Sequence, residues 1–234
     1  MASSGTSALP IVPIAVALVA VMLSGSVATQ ATQPATAPRL RESSVPAQIP
    51  GALGGGEVVL ELTIDSRGRV GRVERIRATP PFTDLVADSA AAWHFEPATS
   101  MIDGRPTTVA APVLVVAVFR PASLYGGPAP GVPPETPGVP SPRLPNLVSA
   151  AMPAYPPNAR GNAIVLVEIE MSRRAEPRGS RIVGPVSGFD TAALDAVRAW
   201  RFDAPRAPDA TDRVFVYAVL GFRAPLAPVT PPRE

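Results

Sequence analysis

The chain has 234 residues, 46% of them hydrophobic, with 31 Pro, 18 Gly, a single His and no Cys. That composition excludes disulfides, thiolate metal centres, cysteine nucleophiles and multi-histidine metal sites, and it argues against wholesale disorder. Twenty-one cations, all Arg, face 19 acids for a net charge of +2. They are interleaved with the acids rather than gathered on one surface, so no nucleic-acid partner is expected.

Residues 8–23, ALPIVPIAVALVAVML, carry no charge, and the apolar stretch continues to Ala28. Its length suits a bilayer span of roughly 20 helical residues, and Ser26-Val27-Ala28 places small residues where a signal peptidase cuts. Residues 1–28 are therefore expected to be a signal peptide or a membrane anchor, and the chain is expected to be exported. A polar, Gly-rich linker is expected over 29–54. Its GALGGGE (51–57) follows no strand and opens no helix, so it is not a phosphate loop.

The first folded stretch, 55–120, opens with a strand over 58–65. Val58, Leu60, Leu62 and Ile64 share one face, Glu61, Thr63 and Asp65 the other, and Val59 is an apolar exception. Asp65-Ser66-Arg67-Gly68 signals a turn, and a second strand is expected over 70–76. Asp84 is placed to cap a helix whose apolar stripe is Leu85, Val86, Ala90 and Trp93. A β-branched run over 112–119 closes the unit. Prolines then crowd residues 121–157, and a solvated Pro-rich linker is expected over 121–152. The second stretch, 153–224, repeats the plan: a strand over 165–172, another near 178–183, a helix capped by Asp190 with Ala193, Leu194, Val197 and Trp200 inward, and a strand over 214–222. Residues 225–234 are expected to be a disordered tail.

The two stretches superpose at an offset of 107. Val58, Glu61, Arg67, Phe82, Asp88, Ala92, Trp93 and Phe95 meet identical residues at 165, 168, 174, 189, 195, 199, 200 and 202. Both Trp residues read as core. Glu61 and Glu168, like Asp88 and Asp195, read as solvated faces with local ion pairs, and His94 as an exposed residue at a helix end. No catalytic, metal-binding or cofactor-binding constellation emerges, and the chain is not expected to be an enzyme.

Several motifs of the second stretch resemble the C-terminal domain of TonB, the periplasmic energy transducer of Gram-negative bacteria. They are Tyr155-Pro156-x-x-Ala159-Arg160, the alternating strand VLVEIEM (165–171), and Phe189-Asp190 leading into AALDAVRAWRFDAP (192–205) with Leu194, Trp200 and Phe202. The first stretch shares Asp65-x-x-Gly68 and AAAWHFEP (90–97), with Trp93 and Phe95, but lacks the Tyr-Pro element. The second has SRRAE (172–176) where the family favours Asp-x-x-Gly. The resemblance implies an α+β fold of two small β-β-α-β domains. It implies a periplasmic location, anchored in the inner membrane or released after cleavage, and no cofactor. It further implies pairing of an edge strand with an extended segment of an outer-membrane TonB-dependent receptor or another envelope protein, by main-chain hydrogen bonds. Inner-membrane motor proteins and a second copy of the chain are the other partners it implies. Val214, Phe215, Val216, Tyr217, Ala218 and Val219 are the candidate edge. The alternative function is a secreted or periplasmic structural adaptor with two protein-interaction modules and no energy coupling.

Overall fold

The computed structural model describes residues 36–46, 54–123, 135–207 and 210–226. The expected signal or anchor segment (1–28) and all but the first two residues of the expected tail lie outside the described residues. In chain order the elements are β1 (Arg39–Glu42), β2 (Gly56–Ile64), β3 (Val70–Arg77), α1 (Phe82–Ala91), β4 (His94–Glu96), β5 (Ala98–Ile102), β6 (Arg105–Val109), β7 (Ala111–Phe119), β8 (Asn146–Ser149), β9 (Ala163–Ser172), β10 (Pro177–Ile182), α2 (Asp190–Arg198), β11 (Arg201–Asp203) and β12 (Arg213–Phe222). The fold is α+β, mostly sheet with two helices among the described residues.

Six strands form one sheet in the order β10-β9-β12-β7-β2-β3. β2, β3 and β7 form one antiparallel three-stranded half, and β9, β10 and β12 form the other. The halves join where β7 runs parallel to β12, with Leu114 beside Val216 and Val118 beside Leu220. The two stretches therefore share a sheet instead of standing apart on a spacer. The expectation that Val214, Phe215, Val216, Tyr217, Ala218 and Val219 form a free edge is overturned. All six pair with β9, and from Val216 onward the strand also pairs with β7. The reason lies in the strand's composition: VFVYAVLGF is apolar on both faces, the pattern of a strand covered on both sides.

Helix α1 covers one face of this sheet and α2 the other. On the α1 face Phe82, Val86 and Ala90 pack with Leu60, Leu62, Val115, Ala117, Phe215, Tyr217 and Val219. On the α2 face Ala193, Ala196 and Val197 pack with Val165, Val167, Ile169, Val116, Val216 and Leu220. Val59, the apolar exception in an otherwise alternating strand, points into this second core. Trp93 and Trp200 are both buried, as expected, each just past its helix.

The repeat extends further toward the N-terminus than the strands suggested. β1 and β8 are again 107 residues apart, and so are β4 and β11. β1 pairs with β4 and β8 with β11. The Trp93 indole N–H donates to the Ser44 carbonyl at 2.7 Å, and that of Trp200 to the Ala151 carbonyl at 3.0 Å. These two arms cross onto each other's half of the sheet. The Leu40 N–H donates to the Tyr217 hydroxyl at 2.7 Å, and the Ser141 N–H to the Glu61 carboxylate at 2.7 Å. Residues 36–45 and 135–149 are thus packed, in contrast to the solvated linkers expected over 29–54 and 121–152. Leu40, Leu144 and Leu147, buried among the prolines, each contribute about 1.5–3 kcal/mol. Proline-restricted segments also lose less freedom on docking.

The two hairpin turns solve one problem with different residues. Asp65 accepts the N–H groups of Arg67 and Arg69 at 2.8 and 2.9 Å, and Gly68 supplies a φ of 81°. In the second half the Ser172 hydroxyl accepts from Arg174 and Glu176 at 3.2 Å each, and Ala175 takes φ 60°. SRRAE therefore makes the turn that Asp-x-x-Gly makes. The expected helix caps differ: Asp84 and Asp190 lie inside their helices, and neither helix has a side-chain cap. Asp190 instead accepts the Val186 N–H at 2.9 Å, while Asp84 accepts from Arg75 at 2.6 Å.

Candidate functional site

Strand pairing needs a row of unpaired N–H and C=O groups, so the two outer strands β3 and β10 are the places to look. They differ. Beyond the end of β3, Ala78 exchanges backbone hydrogen bonds with Glu135 at 2.7 and 2.8 Å. Gly138 lies so close to the Arg75 carbonyl that an added Cβ would sit 2.6 Å from that oxygen. The segment before β8 thus runs along this edge. On the outer side of β10 no strand pairs among the described residues.

The register of β10 fixes which groups face outward. Ile182 lies opposite Val167, Arg181 opposite Glu168 and Ser180 opposite Ile169. The Val183 N–H donates to the Leu166 carbonyl at 2.8 Å. Antiparallel ladders alternate hydrogen-bonded and non-bonded pairs. Arg181 therefore points its backbone groups at β9, and Ser180 and Ile182 point theirs away from it. By the same alternation Ile169 turns toward β12, where it faces Val216.

One strand inward from this edge lies a charge cluster. Glu168 is 3% exposed and is held by the Arg181 guanidinium through both oxygens, at 2.8 and 2.9 Å. Arg39, from the arm, reaches the same carboxylate at 3.3 Å and stacks 5.4 Å above the Phe215 ring centre. The Tyr217 hydroxyl donates to Glu168 at 3.4 Å while accepting from Leu40. Its ring packs edge-on against Trp93 and Phe95 at 6.0 and 5.6 Å. Burial, with the Glu168 charge beside it, pushes the Tyr217 phenol far above its usual range, so it stays a neutral donor. The hydrogen bonds that Arg181 donates to Glu168 raise its already high pKa further.

The equivalent carboxylate in the other half, Glu61, is also buried. It faces Glu74 across the ladder, where Glu168 faces Arg181. Burial raises its pKa, the Ser141 N–H opposes that rise, and the Glu74 charge adds to it. Neither glutamate is on the solvated face expected of it. The adjacent strands and the arms cover both, which no single strand's periodicity reveals.

The remaining motif residues are structural. The Tyr155 hydroxyl donates to the Gly161 carbonyl at 2.8 Å and its ring packs edge-on against Phe189 at 5.8 Å. The Ala159 N–H closes a turn on the Pro156 carbonyl at 3.2 Å. Leu194 and Phe202 pack at the margin of the α2-face core, and Trp200 lies 6.4 Å from Phe202, as Trp93 does from Phe95. Tyr155 and Pro156 also wall an open, mostly apolar groove of about 530 Å³ beside Ala192 and Ala196 of α2. None of these residues converges with the β10 edge. His94 is exposed in β4, its ring nitrogen 3.2 Å from the Ala92 carbonyl. Among the described residues no group of three or more His, Asp and Glu is placed to hold a metal ion. What sequence reasoning missed is the Arg39–Glu168–Arg181 cluster, whose one local signal is a carboxylate repeated in both copies of a largely apolar strand. Compared with protein-family models, with curated proteins and with solved structures, the chain matches none.

Proposed function

We propose that the chain is a TonB-like periplasmic protein-binding module, built from two β-β-α-β units and acting by strand addition. The observation that carries this reading is the outer edge of β10, along which no strand pairs among the described residues and where Ser180 and Ile182 turn their backbone groups outward. An extended segment of an envelope partner would pair there through main-chain hydrogen bonds, with alternate side chains giving selectivity. In the transducer form of the proposal that partner is a segment of an outer-membrane TonB-dependent receptor, and the N-terminus stays in the inner membrane beside motor proteins. The parallel β7–β12 pairing favours the second reading, a structural adaptor without energy coupling. It consumes the free edge of β12, the strand expected to take a receptor.

Two measurements on cells test these readings. A photo-crosslinking residue at Ser180 is expected to capture a partner segment, and one at Arg75 on β3, against which Gly138 lies, is not. Equal capture at both positions would remove the β10 edge from consideration. The intact mass of the chain in separated membrane and soluble fractions then divides the two forms. A full-length membrane-bound chain supports the transducer, and a soluble chain beginning near Thr29 leaves the adaptor.

A further inference from the structure

We infer that the segment taken up by the β10 edge is acidic, and that Arg181, backed by the Arg39–Glu168 pair, is the group that recognises it. The inference rests on the proposed strand addition at β10 and names the chemistry of the partner at that same edge. Three observations carry it. The first is the charge count in the cluster: two guanidiniums share one carboxylate, Glu168. The Tyr217 hydroxyl beside them stays neutral, so one positive charge is left over. Both guanidinium-bearing side chains remain accessible, at 50% exposed for Arg39 and 47% for Arg181, whereas the carboxylate between them is 3% exposed.

The second is the contrast with β3. Its three arginines are each matched to a nearby acid, Arg72 to Glu74, Arg75 to Asp84 and Arg77 to Glu57, and Arg69 just before the strand is matched to Asp65. From 174 to 182 the β9–β10 hairpin carries Arg174, Arg178 and Arg181, with Glu176 the acid among them. Arg174 and Arg178 are exposed. An edge of this sign repels a second copy of itself and attracts carboxylates.

The third is space. Residues 179 and 181 lie opposite Glu170 and Glu168 of β9, and side chains alternate between faces along a strand, so both lie on the α1 face. Position 179 is Gly, and a Cβ built there meets nothing within 4 Å. A strand laid against β10 would bring its own α1-face side chains about 4.5–5.5 Å from these positions. The place beside Arg181 is thus open to an Asp or Glu, which would pair with the guanidinium in a charge-assisted hydrogen bond. Glu168 holds Arg181 at this site and Arg39 holds Glu168, so the recognising group is positioned before the partner arrives.

The test uses the full chain in cells, with a photo-crosslinking residue at Gly179 and the captured peptide sequenced. The expected capture is an extended segment with at least one Asp or Glu at the site of attachment. Arg181→Gln and Arg178→Glu should each lower the yield at least about tenfold, the loss of one charge-assisted contact. Arg72→Glu on β3 should leave it unchanged. Melting temperatures of the purified variants establish that each is folded, and Arg178→Glu, on the exposed edge, keeps the test decisive should Arg181→Gln unfold. A captured segment without carboxylates, or yields indifferent to both substitutions, overturns the acidic partner. If Ser180→Pro still abolishes capture in that case, strand addition itself stands. Capture that survives Ser180→Pro, or none at all, overturns both.

Discussion

A single proline placed at two positions separates the strand that is an edge from the strand that is not. Val216 is fully buried in β12, between Ile169 of β9 and Leu114 of β7. The ladder's alternation gives its N–H to the Ile169 carbonyl. Val216→Pro removes that donor and leaves a buried carbonyl unsatisfied, which costs about 1–3 kcal/mol. It also drives the ring into a neighbour strand about 4.8 Å away, so a total of at least about 4 kcal/mol is expected, against a usual stability of 5–15 kcal/mol. At about 2–4 °C per kcal/mol for a chain of this size, the melting temperature should fall by about 10 °C or more. Ser180 is exposed and its N–H points out of the sheet. Ser180→Pro should therefore stay within about 1 kcal/mol, since edge positions of this kind accept proline. Thermal melts followed by circular dichroism, together with crosslinking in cells, read both effects. The expected result is one strongly destabilised variant and one variant of near-parent stability that has lost its partner. A folded Val216→Pro with an unchanged melting temperature would refute the central placement of β12. A Ser180→Pro that melts as low as Val216→Pro would refute the outward register of β10.

Other perturbations follow from the same geometry. A Cβ at position 68 would lie 1.9 Å from the Phe95 carbonyl oxygen, and Phe95 donates its N–H to the Gly68 carbonyl at 2.7 Å. Gly68→Ala should thus cost about 3 kcal/mol, from left-handed strain and a broken bridge, and a melting temperature within 2 °C of the parent would contradict this. Trp200→Ala should cost about 3–5 kcal/mol, as expected for emptying a large core site; an unchanged melt would show that the α2-face core does not depend on that ring. Glu61 is pushed above its ordinary 4.5 mainly by burial, so the folded chain holds its proton more tightly than the unfolded chain, and stability falls as pH rises above 4.5. Glu61→Gln should flatten that slope and raise the melting temperature at pH 7, and a slope identical to the parent's would assign it to another group.

The residues themselves settled the local structure. Period-two alternation marked β2 and β9, the 3.6-residue stripe marked both helices, and Trp93 and Trp200 were core on pattern alone. The offset of 107 was visible because corresponding residues do the same local work. Asp103-Gly104 has positive φ at both residues and turns the β5–β6 hairpin, a strong local signal that the strand-by-strand reading passed over. The short strands β1, β4, β8 and β11 carry too few residues for any period to register. Tertiary structure alone decided that β7 and β12 pair with each other, that the two arms cross to opposite halves, and that Glu168 lies between Arg39 and Arg181. The physical reason is range. Periodicity and turn chemistry act over a few residues and state how each strand is covered, while strand partnership depends on which distant edge is free and fits. A run such as VFVYAVLGF therefore announces that it is buried on both faces, and only the assembled sheet decides what lies beside it.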